Sequence, residues 1–381
     1  MTLGKSKTVW PDRGLLVSTL LLVSVGLVMV FSSSAVMSEE RFGSAYLFLR
    51  KQLAWDALGL LMLFICLRVD YHRWQKWAYP LLAVAVIALI VVLFVGPVIK
   101  GARRWIHFGP ITFQPSELAK LVLILVMATY LDRNKSQVKH LVKGYLPLIG
   151  MVGAVCSLIA IGPDLGSAVL VAGVGAMMMF LAGVRWRHLL ATAGVALVPL
   201  YELLFHVPFR RRRLMAFLNP WADPQHAGYQ VTQSMLAFGS GGLWGKGLGA
   251  STLKLLYLPD PHTDFIFPII GEELGFLGAL ALILLFVVWG WRGWQTAKRA
   301  PDLFGQLLAA GITCWVLMQA AINMGVSCGL LPTKGLPLPF ISFGGSSMVI
   351  TMAAVGILLN ISAQCSWEKV QTFRRSRVRE R

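Results

Sequence analysis

The chain is a succession of long apolar runs joined by short polar connections. About ten can be read: Gly14 to Val36, Leu53 to Arg68, Tyr79 to Ile99, Glu117 to Leu131, Tyr145 to Ile161, Gly166 to Val184, His188 to Phe205, Phe265 to Gly290, Phe304 to Gly325 and Phe340 to Ile361. A helix of about 20 apolar residues crosses roughly 30 Å of hydrocarbon, and the shorter runs reach that length with amphipathic flanks. Helices satisfy their own backbone polar groups in lipid, so the expected fold class is an all-α polytopic membrane protein with about ten transmembrane helices. With 56% hydrophobic and only 14% charged residues and a mean hydropathy of +0.68, a soluble pair of domains is excluded. The first run follows Lys5, Lys7 and Arg13. Its length fits a retained span better than a cleaved signal peptide.

The formal charge of +18 could suggest nucleic acid, but most Lys and Arg lie in the connections, as membrane proteins distribute them. Placing the N-terminus in the cytoplasm puts Arg73, Lys76, Arg133, Lys135, Lys139, Lys143, Arg185, Arg187, Arg292, Lys298, Arg299 and the tail from Lys369 to Arg381 on that side. The positive-inside rule then holds and both termini are expected in the cytoplasm. Cys66, Cys156, Cys314, Cys328 and Cys365 show no CxxC spacing and read as packing residues.

This gives a cytoplasmic segment 1–13, a transmembrane domain 14–364 and a basic cytoplasmic tail 365–381. The exception to short connections is 206–263, expected outside between the seventh and eighth spans; a loop of this length usually carries function. Within it, Tyr229 to Phe238 reads as an amphipathic helix on the membrane surface, broken by Gly239-Ser240-Gly241-Gly242. The run Arg210 to Arg213 is exempt from the charge rule, because long segments translocate regardless.

The informative polar residues fall on the expected outer face. Asp264 stands where the long loop enters the eighth span, a place where a carboxylate can be partly desolvated yet reach a polar substrate. The plainer reading is that Thr263 caps the helix and Asp264 complements its dipole. Glu117 and Lys120 share a helix face, three apart, and can serve a site or simply form the ion pair that a charge in a membrane helix needs. Arg104 and Lys334 put cations before the fourth and tenth spans, suited to a pyrophosphate or to interfacial anchoring. Glu272 and Glu273 lie about two turns into the eighth helix, a depth at which a structural role is favoured. Ser346, in Ser342-Phe343-Gly344-Gly345-Ser346-Ser347, brings a hydroxyl to the start of the tenth span.

Several segments are longer than chance patterns: Pro259-Asp260-Pro261-His262-Thr263-Asp264-Phe265-Ile266-Phe267, Gly271-Glu272-Glu273-Leu274-Gly275 and Pro332-Thr333-Lys334-Gly335-Leu336-Pro337-Leu338-Pro339. With Arg104-Trp105-Ile106, Gln114-Pro115-Ser116-Glu117-Leu118-Ala119-Lys120, Pro163-Asp164-Leu165-Gly166 and Gly239 to Gly247, they resemble the signature segments of the SEDS peptidoglycan glycosyltransferases over all but the two termini. Thr333-Lys334-Gly335 resembles the cell-division (FtsW) branch rather than the elongation (RodA) branch, while Phe343 stands where the family more often has Tyr. The resemblance implies a ten-helix fold that polymerises lipid II at the septum of the bacterial inner membrane. It also implies a class B penicillin-binding transpeptidase (FtsI-like) as partner, regulators such as the FtsQ-FtsL-FtsB complex, and an essential aspartate at Asp264.

On that basis Asp264 is expected to act as general base on the acceptor hydroxyl, with Arg104, Lys120 and Lys334 stabilising the departing pyrophosphate and Glu117 and Ser346 in the substrate site. Magnesium or manganese could share the second role, although no ligand cluster is evident. The rival readings are a lipid II flippase, with Glu272, Glu273 and Lys120 along its route, and a non-catalytic division scaffold.

Overall fold

The computed structural model describes residues 11–98, 102–109, 111–226, 228–252 and 262–379. Lys5, Lys7, Ile99, Gly101, Pro259, Asp260, Pro261, Glu380 and Arg381 lie outside the described residues. In order the elements are α1 (Arg13–Phe42), α2 (Leu47–Arg68), α3 (Tyr71–Val95), β1 (Ile106–Phe108), β2 (Ile111–Phe113), α4 (Pro115–Arg133), α5 (Leu146–Ile161), α6 (Leu165–Leu181) and α7 (Trp186–Phe205). They continue with α8 (Pro208–Leu218), α9 (Tyr229–Gly241), α10 (Ile266–Arg299), α11 (Leu303–Ser327) and α12 (Gly345–Arg379).

Each apolar run read from the sequence coincides over most of its length with a helix, although α12 starts at Gly345 and α3 ends at Val95. Among the described residues, 7 helices are long and apolar enough to cross a membrane: α1, α3, α5 with its preceding turn, α7, α10, α11 and the part of α12 up to Cys365. The apolar α6 is shorter. Charges set α2 and α4 apart, with Arg50, Lys51 and Asp56 on one and Glu117 and Lys120 on the other. The helix starts follow from local chemistry, since Asp12, Asp70, Asp164 and Asp302 each accept a first-turn N–H, of Leu15, His72, Ser167 and Gly305 respectively. Pro115 opens α4, where its missing N–H costs nothing.

The core is centred on α4, α10, α11 and α12, with Trp289, Trp315, Phe304 and Phe340 fully buried. α2 and α12 share a seam in which the Cα of Gly59 faces Met352 and that of Gly356 faces Leu63. α7, by contrast, buries none of its residues.

The structure departs from the all-α expectation at 106–113, a two-stranded antiparallel hairpin with Ile106 opposite Phe113 and His107 opposite Thr112. Ile-His-Phe and Ile-Thr-Phe are β-prone triplets around a turn at Gly109, whose φ of 61° suits glycine. A second departure concerns α9. It does not lie free on a membrane surface but buries Val231, Thr232, Ser234 and Ala237, packs on α10, and donates from Ser234 Oγ to the Ser327 carbonyl. The helix runs to Gly241 and stops at Gly242.

The third departure is a break in α10 at Gly275, with φ 70° and ψ −169°. The N–H groups freed by the break, of Phe276 and Leu277, donate to the carbonyls of Gly242 (2.9 Å) and Leu243 (3.2 Å). Glu272 and Glu273 therefore end a short, fully buried half-helix instead of sitting two turns down a straight one.

The two ends of the bundle differ. One gathers the caps Asp12, Asp70 and Asp302, with Arg292 3.7 Å from Asp12 and the Tyr71 N–H on Asn360 Oδ1. The other gathers Arg104, Asp164, Arg213, Asp264 and Lys334.

Candidate active site

Asp264 sits in the turn that leads into α10. The helix begins at Ile266 with Phe265 in the cap position and no side-chain capping bond, so Thr263 is not its cap. The Asp264 carbonyl accepts from Asn323 Nδ2 of α11 (2.9 Å), and the same amide nitrogen donates to the Leu336 carbonyl (2.7 Å). One side chain thereby ties the approach to α10 to the segment that carries Lys334. The Asp264 carboxylate lies so close to that segment that a methyl group on Gly335 would stand 3.1 Å from Oδ2. Glycine there lets backbone and carboxylate approach.

Lys334 is half-buried beside the start of α6, its Cβ 3.5 Å from where a methyl group on Gly166 would lie. Burial lowers its amine below the ordinary lysine range, with Asp164 partly opposing the shift. Asp164 itself is buried and already accepts from the Ser167 N–H (3.1 Å) and hydroxyl (2.8 Å), with Gln114 Nε2 at 3.5 Å. Arg104 braces the turn before Asp164, donating from Nε to the Gly162 carbonyl (3.3 Å) and from Nη2 to that of Pro163.

The other sequence-predicted residues form a different layer. Glu117 and Lys120 have side chains only 1% exposed and pair at 2.8 Å. Lys120 also donates to Gln319 Oε1 (3.0 Å) and lies over the Trp315 ring, and Ser347 Oγ donates to Glu117 Oε2 (3.3 Å). The crevice beside Lys120 is lined otherwise by apolar side chains, among them Leu123, Ile124, Met127 and Leu170. Buried Ser346 accepts from the Gln114 N–H (3.2 Å), joining the α4 entrance to α12. Glu117, Lys120 and Ser346 thus knit α4, α11 and α12 together, whereas Asp264, Arg104 and Lys334 are half-buried and make none of these contacts.

A residue the sequence reading passed over also joins these half-buried groups. Arg213, on α8, is half-buried, and its Nη1 lies 3.5 Å from the Thr333 carbonyl. Burial pulls its guanidinium below the ordinary arginine range, Asp264 opposes that shift, and Arg104 adds to it. The signal available in the sequence was only its place in an arginine run on a long loop.

The acidic pair of α10 is satisfied structurally. Glu272 accepts from Lys246 Nζ (2.7 Å), the Thr252 N–H (3.1 Å) and the hydroxyls of Ser251 and Thr252. Glu273 accepts from Ser32 Oγ on α1 (2.7 and 2.8 Å). Among the described residues no group of three or more His, Cys, Asp or Glu is placed to hold a metal ion.

Comparison with known proteins bears on what this site serves. The model of the FtsW/RodA/SpoVE family, described as cell cycle protein, matches residues 13–366. The chain is 43% identical over 355 residues to a probable peptidoglycan glycosyltransferase FtsW of Geobacter metallireducens, covering 93% of this chain and 95% of that one. It is 41% identical over 359 residues to the stage V sporulation protein E of Bacillus subtilis, covering 94% and 98%. Among solved structures, one described as showing structural coordination of polymerization and crosslinking by a peptidoglycan synthase complex aligns with a TM-score of 0.79 at 31% identity, covering 93% and 98%. The rod shape determining protein RodA of Thermus thermophilus aligns at 0.69 and 30% identity, covering 92% and 96%. By sequence over nearly its whole length and by fold, this chain belongs to the FtsW/RodA/SpoVE family.

Proposed function

We infer that the chain is a peptidoglycan glycosyltransferase that polymerises lipid II into glycan strands, at the septum during cell division. Family membership and relatives named as probable FtsW glycosyltransferases support the activity, and the Thr333-Lys334 pair supports the division role. The observation that carries the chemistry is the placement of the Asp264 carboxylate against Gly335, beside Lys334, at one end of the bundle. In this reading all ten apolar helices span the membrane, both termini lie in the cytoplasm, and the segment between α7 and α10 is extracytoplasmic. The distribution of Lys and Arg supports that orientation.

The reaction is attack by an acceptor sugar hydroxyl on the anomeric carbon of a glycan linked to undecaprenyl pyrophosphate, with inversion. Asp264 takes the hydroxyl proton as the new bond forms, and the bond to the pyrophosphate breaks with its electron pair leaving on the phosphate oxygen. Arg104 and Lys334 stabilise that charge in a partly desolvated cleft, where such interactions are stronger than in water. Glu117, Lys120 and Ser346 hold the floor of the substrate site through their links among α4, α11 and α12. A class B penicillin-binding transpeptidase crosslinks the product, and division regulators such as the FtsQ-FtsL-FtsB complex act on the pair. Likeness to a chain of a peptidoglycan synthase complex supports the first partnership.

The test is polymerisation of lipid II by the purified protein with its cognate transpeptidase, comparing wild type with Asp264→Ala and Asp264→Asn. Loss of a positioned base is expected to slow strand synthesis by about a hundredfold to ten-thousandfold in both variants while melting temperature holds. Strands of wild-type length and rate from either variant would refute the assignment of Asp264. Exposure of lipid II head groups across proteoliposomes without strand growth would instead favour a flippase.

A further inference from the structure

The four consecutive arginines 210–213 read as a solvated charge run, but the helix that carries them sorts them. Successive residues of α8 are about 100° apart, so a run of four cannot face one way. Arg211 and Arg212 are exposed, Arg210 donates from Nη1 to the Leu203 carbonyl at the end of α7 (3.3 Å), and Arg213 turns inward. Buried Ala216, three residues on, marks the same inward face. Arg213 meets Thr333 next to Lys334, and Asp264 and Arg104 are its charged neighbours.

Among the described residues, Arg104, Arg213 and Lys334 are thus brought together with the carboxylates of Asp264 and Asp164, and Asp164 also caps α6. Two guanidinium groups within range of each other in a half-buried cleft are mutually unfavourable. Burial and the neighbouring Arg104 lower the Arg213 guanidinium, and burial lowers the Lys334 amine. Three cations from separate parts of the chain, brought to one place, suit a multiply charged anion. A diphosphate is suited to the place, because it carries more than one charge and offers paired oxygens to a planar guanidinium.

We propose that Arg213 is a substrate-binding residue that grips the diphosphate of the lipid-linked sugar from the outer segment, opposite Arg104 and Lys334. The inference rests on the glycosyltransferase reading above and adds to it a contact made by the segment between α7 and α10. That segment then closes one wall of the cleft around the leaving group.

The experiment is lipid II polymerisation with inorganic pyrophosphate as competing anion, on wild type, Arg213→Ala, Arg213→Gln, Arg213→Lys and Arg212→Ala, with thermal melting of each. Removing a charge-assisted contact is expected to lower kcat/KM by about tenfold to a hundredfold and to weaken pyrophosphate inhibition by a similar factor. Lysine restores part of both, and Arg212→Ala behaves as wild type. Pyrophosphate inhibition of wild-type strength in folded Arg213→Ala overturns the proposal, even where turnover falls, because a merely structural arginine would leave it unmoved. Should the alanine variant fail to fold, Arg213→Gln decides by the same measure. A wild-type protein that makes no strands would refute the proposed function, a result distinct from failure of this contact.

Discussion

Around Glu272 and Glu273 the protein surrounds buried carboxylates with donors, whereas around Asp264 it brings together half-buried cations from distant parts of the chain. The first region ends a fully buried half-helix, and Lys246, Ser251, Thr252 and Ser32 supply donors to its carboxylates. The second, among the described residues, draws three half-buried cations, half-buried Asp264 and buried Asp164 from distant parts of the chain. Both regions contain acidic residues in recognisable segments, so residue type does not separate them. What separates them is their surroundings, since one pair is fully buried among hydroxyl and amine donors and the other region is half-buried among several cations.

The comparison can be broken most directly at Lys120, which belongs with the buried charges. Lys120→Met leaves Glu117 buried without its cation and is expected to destabilise the protein by about 3–5 kcal/mol, whereas the double variant with Glu117→Leu recovers most of that loss. Melting of the single and double variants in detergent checks this, and a single variant as stable as wild type would move Lys120 to the functional class. Glu272→Gln loosens a pair whose lysine is one-third exposed. The expected cost is smaller, about 2 kcal/mol, with strand synthesis per folded molecule retained. The smallest effect is expected at Lys334. Because burial lowers its amine, the cation is complete at low pH and is lost as pH rises sooner than for an ordinary lysine. The KM for lipid II should therefore climb on the alkaline side, and Lys334→Arg should carry that limb to higher pH. An unmoved limb would take Lys334 out of the cleft's chemistry.

Apolar run length pointed to ten helices, of which 7 are long and apolar enough to cross a membrane among the described residues, because the spacing of charge along the chain is itself the physical cause of insertion. Asp264 stood out in the sequence as a carboxylate between a polar loop and an apolar run, and the structure places it in the turn before α10 with its carboxylate close to Gly335. The hairpin at 106–113 left a trace in its β-prone triplets around Gly109-Pro110, but short strands inside a helical chain compete with loop readings. Arg213 could not be picked out of its run, because which of four neighbouring arginines turns inward is decided by the packing of α8 and not by local composition. Lys120 shows the converse. Its spacing from Glu117 was plain, yet only its contacts with Gln319 and Trp315, and the Ser347 hydroxyl on Glu117, show how completely the pair is enclosed.

The interruption at Gly275 has a mechanical consequence. A continuous helix transmits rotation, so any adjustment at its membrane-embedded end would swing a residue at the other end around the axis. The break at Gly275 removes that rigid link, and the 242–247 segment takes its place: it receives the Phe276 and Leu277 N–H groups on the Gly242 and Leu243 carbonyls and donates the Lys246 and Gly247 N–H groups to the Glu272 and Glu273 carbonyls. The relative setting of the two halves of α10 is thus held by that segment and not by helix continuity.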